Sequence, residues 1–163
     1  MAKTKKRKNV KPRNKIVKAK KDKKTKKEKP VKVFSVIDIY STDILRLDDG
    51  REIKLLGVES PAAFFSRNRG LYRQALSFVS SSVQGGKIRL EKPSTPLEPG
   101  QENSFYVILP DGSSLNELLI GSGNALSDSK VNHAFKKKFD EAEKKAVKNG
   151  LAIWSVQKTD SPR

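Results

Sequence analysis

The chain has 163 residues, of which 35 are lysine or arginine, 18 are aspartate or glutamate and none is cysteine, so its formal net charge is +17. This length suits one domain with a tail, and the absence of cysteine excludes disulfides and thiolate metal sites. No apolar run has the length that a signal peptide or a membrane span needs. We therefore predict an intracellular protein without a membrane partner, in the bacterial cytoplasm or, in a eukaryote, in the nucleus.

The positive charge is concentrated at the N-terminus. Residues 1–32 contain 17 of the 35 bases and only two acids, Asp22 and Glu28, whereas residues 33–163 are nearly neutral. The first segment has no aromatic residue and too little apolar surface to offset the entropy of ordering its backbone. We predict a disordered lysine-rich tail at 1–32, a folded domain at 33–157 and a short C-terminal tail at 158–163.

A lysine tail of this kind is suited to binding nucleic acid, because each ammonium that neutralises a phosphate releases condensed counterions. Such a tail reads phosphate density only, so it does not separate DNA from RNA. Contact with a membrane surface or an acidic partner, simple solubilisation and nuclear import are the alternatives. The tail residues predicted to bind are Lys5, Lys6, Arg7, Lys8, Lys20, Lys21, Lys23, Lys24, Lys26 and Lys27.

The composition of the sequence changes after Pro30, where β-forming residues become frequent. Residues 33–40, 43–47 and 51–56 read as three strands of a meander, with Asp48-Asp49-Gly50 as the hairpin turn between the last two. Residues 63–83 then carry apolar side chains at helical spacing, and Gly85-Gly86 ends that helix. Residues 87–91 alternate as a fourth strand.

A loop at 93–103 leads to a fifth strand at 105–109, and Asp111-Gly112 turns the chain into a short helix. Ser114 and Glu117 have the spacing of a capping box at the start of that helix. A final helix is predicted at 129–148, with Phe135 and Phe139 on its apolar face. Five strands with helices between and after them are compatible with a partly open five-stranded barrel.

Seven short segments of the body together resemble the staphylococcal nuclease-like (thermonuclease) family, over nearly the whole of residues 33–157. The ordered set with its spacings carries the resemblance, and no single segment does. The resemblance implies an OB-type barrel with three helices. The segments are Val36-Ile37-Asp38, Asp43-Ile44-Leu45-Arg46-Leu47, Asp49-Gly50-Arg51, Lys54-Leu55-Leu56-Gly57-Val58-Glu59-Ser60-Pro61, Asp111-Gly112, Leu115-Asn116-Glu117-Leu118-Leu119 and Gly150-Leu151-Ala152-Ile153-Trp154-Ser155.

The family's chemistry cleaves phosphodiesters, and this sequence departs from it at three positions. Lys54 stands at the family's first arginine and keeps the charge without the planar fork that grips two phosphate oxygens. Ala62 stands at the glutamate that handles the attacking water, and an alanine methyl cannot accept a proton. Asn103 lies in the stretch aligned with the second arginine, where 101–104 contains no base.

The resemblance also implies a metal site. Glu59 stands at the family's metal-binding aspartate and Asp43 at a second ligand, although an insertion at 39–42 precedes it; both carboxylates are suited to calcium. Asp38 matches the first acid of that second motif. We regard a resident cofactor as absent unless nuclease activity persists, in which case calcium is the expected ion.

Three functions follow. The favoured one is a nucleic-acid-binding protein with a catalytically degenerate barrel, in which Lys54, Arg67, Arg69 and Arg73 add phosphate contacts to those of the tail. The second is a weak calcium-dependent endonuclease that uses Asp43, Glu59 and Lys54. The third is a ribonucleoprotein or protein-interaction role, with the barrel as a docking module. The sequence does not indicate an oligomeric state.

Two further expectations concern individual side chains. His133 is the only histidine of the chain, and without a second histidine or a cysteine it is predicted to be a surface residue. Phe64 and Phe65 are predicted to pack in the core, with a base-stacking platform as the alternative.

Overall fold

The computed structural model describes residues 30–156 and 160–163, and it has a mixed α+β structure, which confirms the predicted class. The ten tail residues predicted to bind nucleic acid lie outside the described residues. No helix in the described ranges is long and apolar enough to cross a membrane. The strands are β1 (Val33–Phe34), β2 (Val36–Ile39), β3 (Ile44–Leu47), β4 (Glu52–Leu55), β5 (Val58–Glu59), β6 (Ile88–Glu91), β7 (Ser104–Ile108) and β8 (Leu126–Ser127). The helices are α1 (Ala62–Arg67), α2 (Arg69–Val83), α3 (Leu115–Gly121) and α4 (Lys136–Lys148), followed by the 3₁₀ helix Ala152–Ser155.

Six of the described strands form one sheet in the order β1-β6-β7-β4-β3-β2, and β5 pairs with β8 in a small second sheet. Neighbours in the main sheet are antiparallel except β4 and β7, which are parallel. Residues 33–40 were predicted as one strand, but the strand is interrupted at Ser35. The interruption lets β1 pair with β6 while β2 pairs with β3, so one stretch of chain reaches both edges of the sheet.

Alternating burial on β3 and β4 follows the sequence pattern. Leu45 and Leu47 on β3 and Ile53 and Leu55 on β4 are at most 1% exposed, because they point into the main hydrophobic core. Lys54, between the last two, is exposed on the opposite face. The period of two along a strand therefore both builds the core and presents Lys54 to solvent.

A buried amide ties the parallel strand pair to α3. Asn116 on α3 is fully buried, and its Oδ1 accepts a hydrogen bond from the backbone N–H of Val107 at 2.9 Å. Its Nδ2 donates to the carbonyl oxygens of Leu56 at 2.9 Å and Phe105 at 3.2 Å. These three bonds satisfy buried polar groups of β7 and of the residue after β4, so they hold the helix and the two strands in one arrangement.

The helix predicted at 63–83 is two helices, so the described residues contain four α-helices where three were expected. Asn68 has a non-helical backbone conformation and separates α1 from α2. Its Nδ2 donates to the carbonyl oxygen of Phe64 at 3.1 Å and to the carboxylate of Asp160 at 2.9 Å. Asparagine competes with helical hydrogen bonding in this way, and the partner from the C-terminus could not be read from the local pattern.

Of the predicted starts of the last two helices, one is confirmed and one is wrong. The start of α3 is confirmed, since Ser114 is its N-cap and accepts from the N–H of Glu117 at 3.4 Å. In contrast, α4 begins at residue 136 and not at 129. The carboxylate of Asp128 accepts from the N–H of Lys130 at 3.0 Å and holds that segment in a turn, and Phe135 precedes the helix and is 45% exposed.

His133 was predicted to be a surface residue, and this is wrong. Its side chain is buried in the segment before α4, with Nδ1 at 3.0 Å from the hydroxyl oxygen of Tyr106 and its ring 5.0 Å from that of Phe139. Burial lowers the pKa of His133, with the charge of Lys136 as a smaller cause in the same direction. The folded protein therefore favours the neutral imidazole.

We expect His133 to make the protein less stable in acid. The unfolded chain binds a proton below its ordinary pKa of about 6.5 while the folded chain resists it, so stability falls as the pH drops through that value, by at most about 1.4 kcal/mol per pH unit. The variant His133→Gln retains hydrogen-bonding capacity without a titrating ring. Urea midpoints between neutral and mildly acidic pH should fall less steeply in this variant, and identical slopes for the two proteins would contradict the assignment.

The packing of His133 against Gly57 gives a second prediction. Gly57 has a φ of +72°, and a β-carbon there would overlap the imidazole ring of His133. Gly112 has a φ of +85° with open space around it, so Gly112→Ala costs only left-handed strain of about 1–2 kcal/mol. Gly57→Ala should be less stable than Gly112→Ala by a further 1–3 kcal/mol or so, as overpacking costs elsewhere. Equal chemical-denaturation midpoints would contradict this packing.

Candidate functional site

A cleft of about 900 Å³ opens beside the main sheet. The loop between β2 and β3 forms one wall, the start of α1 forms the next, and the first turns of α2 form the third. Its lining residues are Ser41, Asp43, Ile44, Ser60, Ala62, Phe65, Ser66, Arg69, Tyr72 and Arg73. Five residues singled out from the sequence are thus brought together, namely Asp43, Ala62, Phe65, Arg69 and Arg73.

Asp43 contributes the one carboxylate among these lining residues. The residue is 7% exposed, and its Oδ1 accepts a hydrogen bond from the hydroxyl of Ser41 at 2.5 Å. Its Oδ2 lies 4.0 Å from Nζ of Lys54, whose side chain is about half exposed. The carbonyl oxygen of Asp43 also accepts from the N–H of Leu55 at 2.8 Å, so the end of β4 fixes the position of this acid.

Arg69 and Arg73 supply positive charge on the opposite wall. They lie four residues apart on α2, so they share one face of the helix. Both are exposed, and neither forms an ion pair with an acid among residues 30–156 and 160–163. Two guanidinium groups therefore face a cleft whose lining holds a single carboxylate.

Arg67, predicted to act with these two arginines, is placed elsewhere. It belongs to α1, it is not a lining residue of the cleft, and its Nη2 lies 3.2 Å from Oδ1 of Asp160. Its Nη1 donates to the carbonyl oxygen of Ala63 at 3.0 Å. Because of the helix break at Asn68 and the contact with the C-terminal segment, Arg67 forms contacts within the protein and does not line the cleft.

Two aromatic residues, Phe65 and Tyr72, line the same cleft, and we call this pair the aromatic floor. Phe65 is 3% exposed, Tyr72 is half-buried, and their ring centroids are 5.0 Å apart. The hydroxyl of Tyr72 donates to the carbonyl oxygen of Tyr40 at 3.3 Å, which joins α2 to the β2–β3 loop. Phe64 is buried as predicted, and Phe65 is buried while also lining the cleft.

Helical spacing is a sequence signal that points to Tyr72. Tyr72 lies three residues after Arg69 and one before Arg73, so helical spacing places it near the arginine face of α2. The serines of the lining, Ser41, Ser60 and Ser66, carry no such signal, because serine is frequent in loops for other reasons.

Lys54 and Asn103 meet at the parallel strand pair. The N–H of Lys54 donates to the carbonyl oxygen of Asn103 at 2.9 Å, and both residues line a recess of about 120 Å³ outside the main cleft. The two positions that the resemblance aligns with arginines are therefore neighbours in the structure. Only Lys54 carries charge, and its ammonium extends toward Asp43.

Glu59, the other predicted calcium ligand, lies on β5 and is not a lining residue of the cleft. Its Oε1 is 3.8 Å from Nζ of Lys130. Within the described part of the chain, no group of three or more histidine, cysteine, aspartate or glutamate side chains has a geometry that could hold a metal ion.

Ala62 opens α1 at the edge of the cleft and is exposed. A methyl group at this point offers no proton acceptor to a water molecule. The arrangement thus combines one buried carboxylate, two guanidinium groups and an aromatic floor, which can bind an anion carrying a planar group but lack a general base at position 62.

No protein-family model matches the chain, and no curated protein matches it.

Proposed function

We propose that this protein binds nucleic acid without marked sequence preference, through its lysine-rich tail and through the cleft between the β2–β3 loop and α2. The observation that carries the proposal is the pair Arg69 and Arg73, which face the cleft without acidic partners in the described residues. Guanidinium groups bind phosphate oxygens through charge-assisted hydrogen bonds. The tail adds phosphate affinity that depends on charge density alone.

The aromatic floor favours a single strand over a duplex as the occupant of the cleft. Tyr72 is half-buried and presents part of its ring to the cleft that Arg69 and Arg73 also line, with the buried ring of Phe65 packed against it. Single-stranded nucleic acid combines phosphates that track a positive groove with bases that pack on aromatic rings. DNA and RNA both satisfy this description.

The strand order supports an OB-type barrel as the scaffold. If β1 and β2 are counted as one bent strand, five strands remain, and that bent strand lies beside β6 at one edge and β3 at the other. This arrangement agrees with the resemblance to the staphylococcal nuclease-like family. OB-type barrels bind oligonucleotides, which is consistent with the proposed ligand.

The barrel is proposed to be catalytically degenerate. Ala62 at the cleft edge, together with Lys54 and Asn103 in place of two arginines, removes a general base and two planar forks. Loss of a general base alone lowers a rate by about 10²–10⁴. Binding requires none of these groups to transfer a proton, so it survives their replacement.

The two arginines of the cleft and the neighbouring Arg67 form a matched set of variants. Arg69→Ala together with Arg73→Ala should weaken binding of single-stranded DNA and reduce the slope of log K against log salt by about 1.4, from about 0.7 per phosphate contact. Arg67→Ala removes one positive charge from α1, where the guanidinium pairs with Asp160 outside the cleft lining, so it should lower the slope by much less than half as much as the double variant. Fluorescence anisotropy over a range of salt checks both, and equal effects of the three substitutions would refute a role for the cleft.

The contribution of the tail is tested in the full-length chain. Replacing Lys20, Lys21, Lys23, Lys24, Lys26 and Lys27 with glutamine should lower the salt slope by about 4 on single-stranded DNA if each contacts a phosphate. Replacing the exposed Lys144, Lys145 and Lys148 of α4 controls for net charge. If the α4 variant loses as much slope per lysine as the tail variant, the tail has no special role in binding.

A further inference from the structure

The cleft's ligand can be specified further, on the basis of the proposed nucleic-acid binding. The family resemblance implies that Asp43 and Glu59 would hold a calcium ion. Calcium takes 6–8 oxygen ligands, several of them carboxylates. Whether Asp43 and Glu59 can hold a calcium ion depends on the groups that surround their carboxylates.

The surroundings of Asp43 do not suit a dication. Its Oδ1 accepts a short hydrogen bond from Ser41, and its Oδ2 lies 4.0 Å from the ammonium of Lys54. The side chain is only 10% exposed, so a neighbouring positive charge is weakly screened. An ammonium cannot donate an electron pair to a metal, and it repels a dication that approaches the same carboxylate.

Glu59 repeats this arrangement outside the cleft. Its carboxylate is 3.8 Å from the ammonium of Lys130, and it is not a lining residue. The other side-chain oxygens among the lining residues are the hydroxyls of Ser41, Ser60, Ser66 and Tyr72, which are neutral. This donor set does not fit calcium, because each candidate carboxylate already faces a lysine of the same chain.

We propose that the cleft binds the phosphodiester of a single strand directly, without a divalent cation. Lys54 neutralises Asp43 internally, and this leaves Arg69 and Arg73 to contact phosphate. In a metal site the carboxylate would strengthen phosphate binding by holding the ion. In a metal-free cleft the same carboxylate repels phosphate, so the two modes predict opposite signs for its removal.

The test measures binding of a labelled oligothymidylate by the full-length protein, at constant ionic strength, in EDTA and in calcium chloride. Asp43→Asn keeps an oxygen acceptor for the hydroxyl of Ser41 while removing the charge. It should tighten binding roughly two- to tenfold, the size expected for removing one charge near a partly screened phosphate. Glu141→Gln makes the same charge change on the exposed surface of α4 and controls for net charge. Calcium should leave the affinity of the wild type unchanged, and gels of the same mixtures should show intact DNA.

Calcium-strengthened binding that Asp43→Asn weakens, or calcium-dependent cleavage, would overturn the metal-free mode while nucleic-acid binding at the cleft survives. If Asp43→Asn and the arginine variants all behave like Glu141→Gln, the cleft does not hold the strand, and both the proposed function of the cleft and this inference fail. Lys54→Gln covers the case in which Asp43→Asn unfolds. It should weaken metal-free binding severalfold, whereas removing the ammonium beside a calcium ligand would strengthen calcium-dependent binding.

Discussion

The buried amide of Asn116 is the interaction on which the arrangement of the cleft depends. Its three hydrogen bonds hold α3 against the carbonyl of Leu56 and against the backbone of β7, where the parallel pairing with β4 ends. That pairing sets the register of β4. The register in turn directs Lys54 outward beside Asp43, while the N–H of the next residue binds the carbonyl of Asp43. One satisfied polar group in the core therefore helps to fix the spacing between the exposed ammonium of Lys54 and the buried carboxylate of Asp43.

Local signals predicted much of this fold. The alternation of apolar residues placed β3 and β4 correctly, and Ser114 with Glu117 marked the start of α3, because strand period and helix capping are set by neighbours in sequence. The break at Asn68 and the burial of His133 escaped prediction for a different reason. Each depends on partners distant in sequence, Asp160 in one case and Tyr106 in the other.

The candidate site, too, was predicted only in part from the sequence. Asp43, Ala62, Arg69 and Arg73 were singled out from sequence and lie around one cleft. The separation of Arg67 from the other two arginines follows from the break between α1 and α2, which no periodicity shows. The pairing of each predicted calcium ligand with a lysine could not be predicted from the sequence either, since Lys130 is far from Glu59 in sequence. The ion pairs of the site therefore depend on tertiary contacts, whereas the charge of the tail can be counted from the amino-acid composition.

We propose that a nucleic-acid strand lies in the cleft and not only on the tail. Amide chemical shifts of the isotope-labelled full-length protein, recorded in EDTA with and without a short oligothymidylate, test it most directly because they report each site separately. We expect the amide shifts of residues 41–43, 60, 62–66 and 69–73 to move together as the oligonucleotide is added. Shift changes confined to residues 1–32, with the cleft amides unchanged at saturation, would contradict the account.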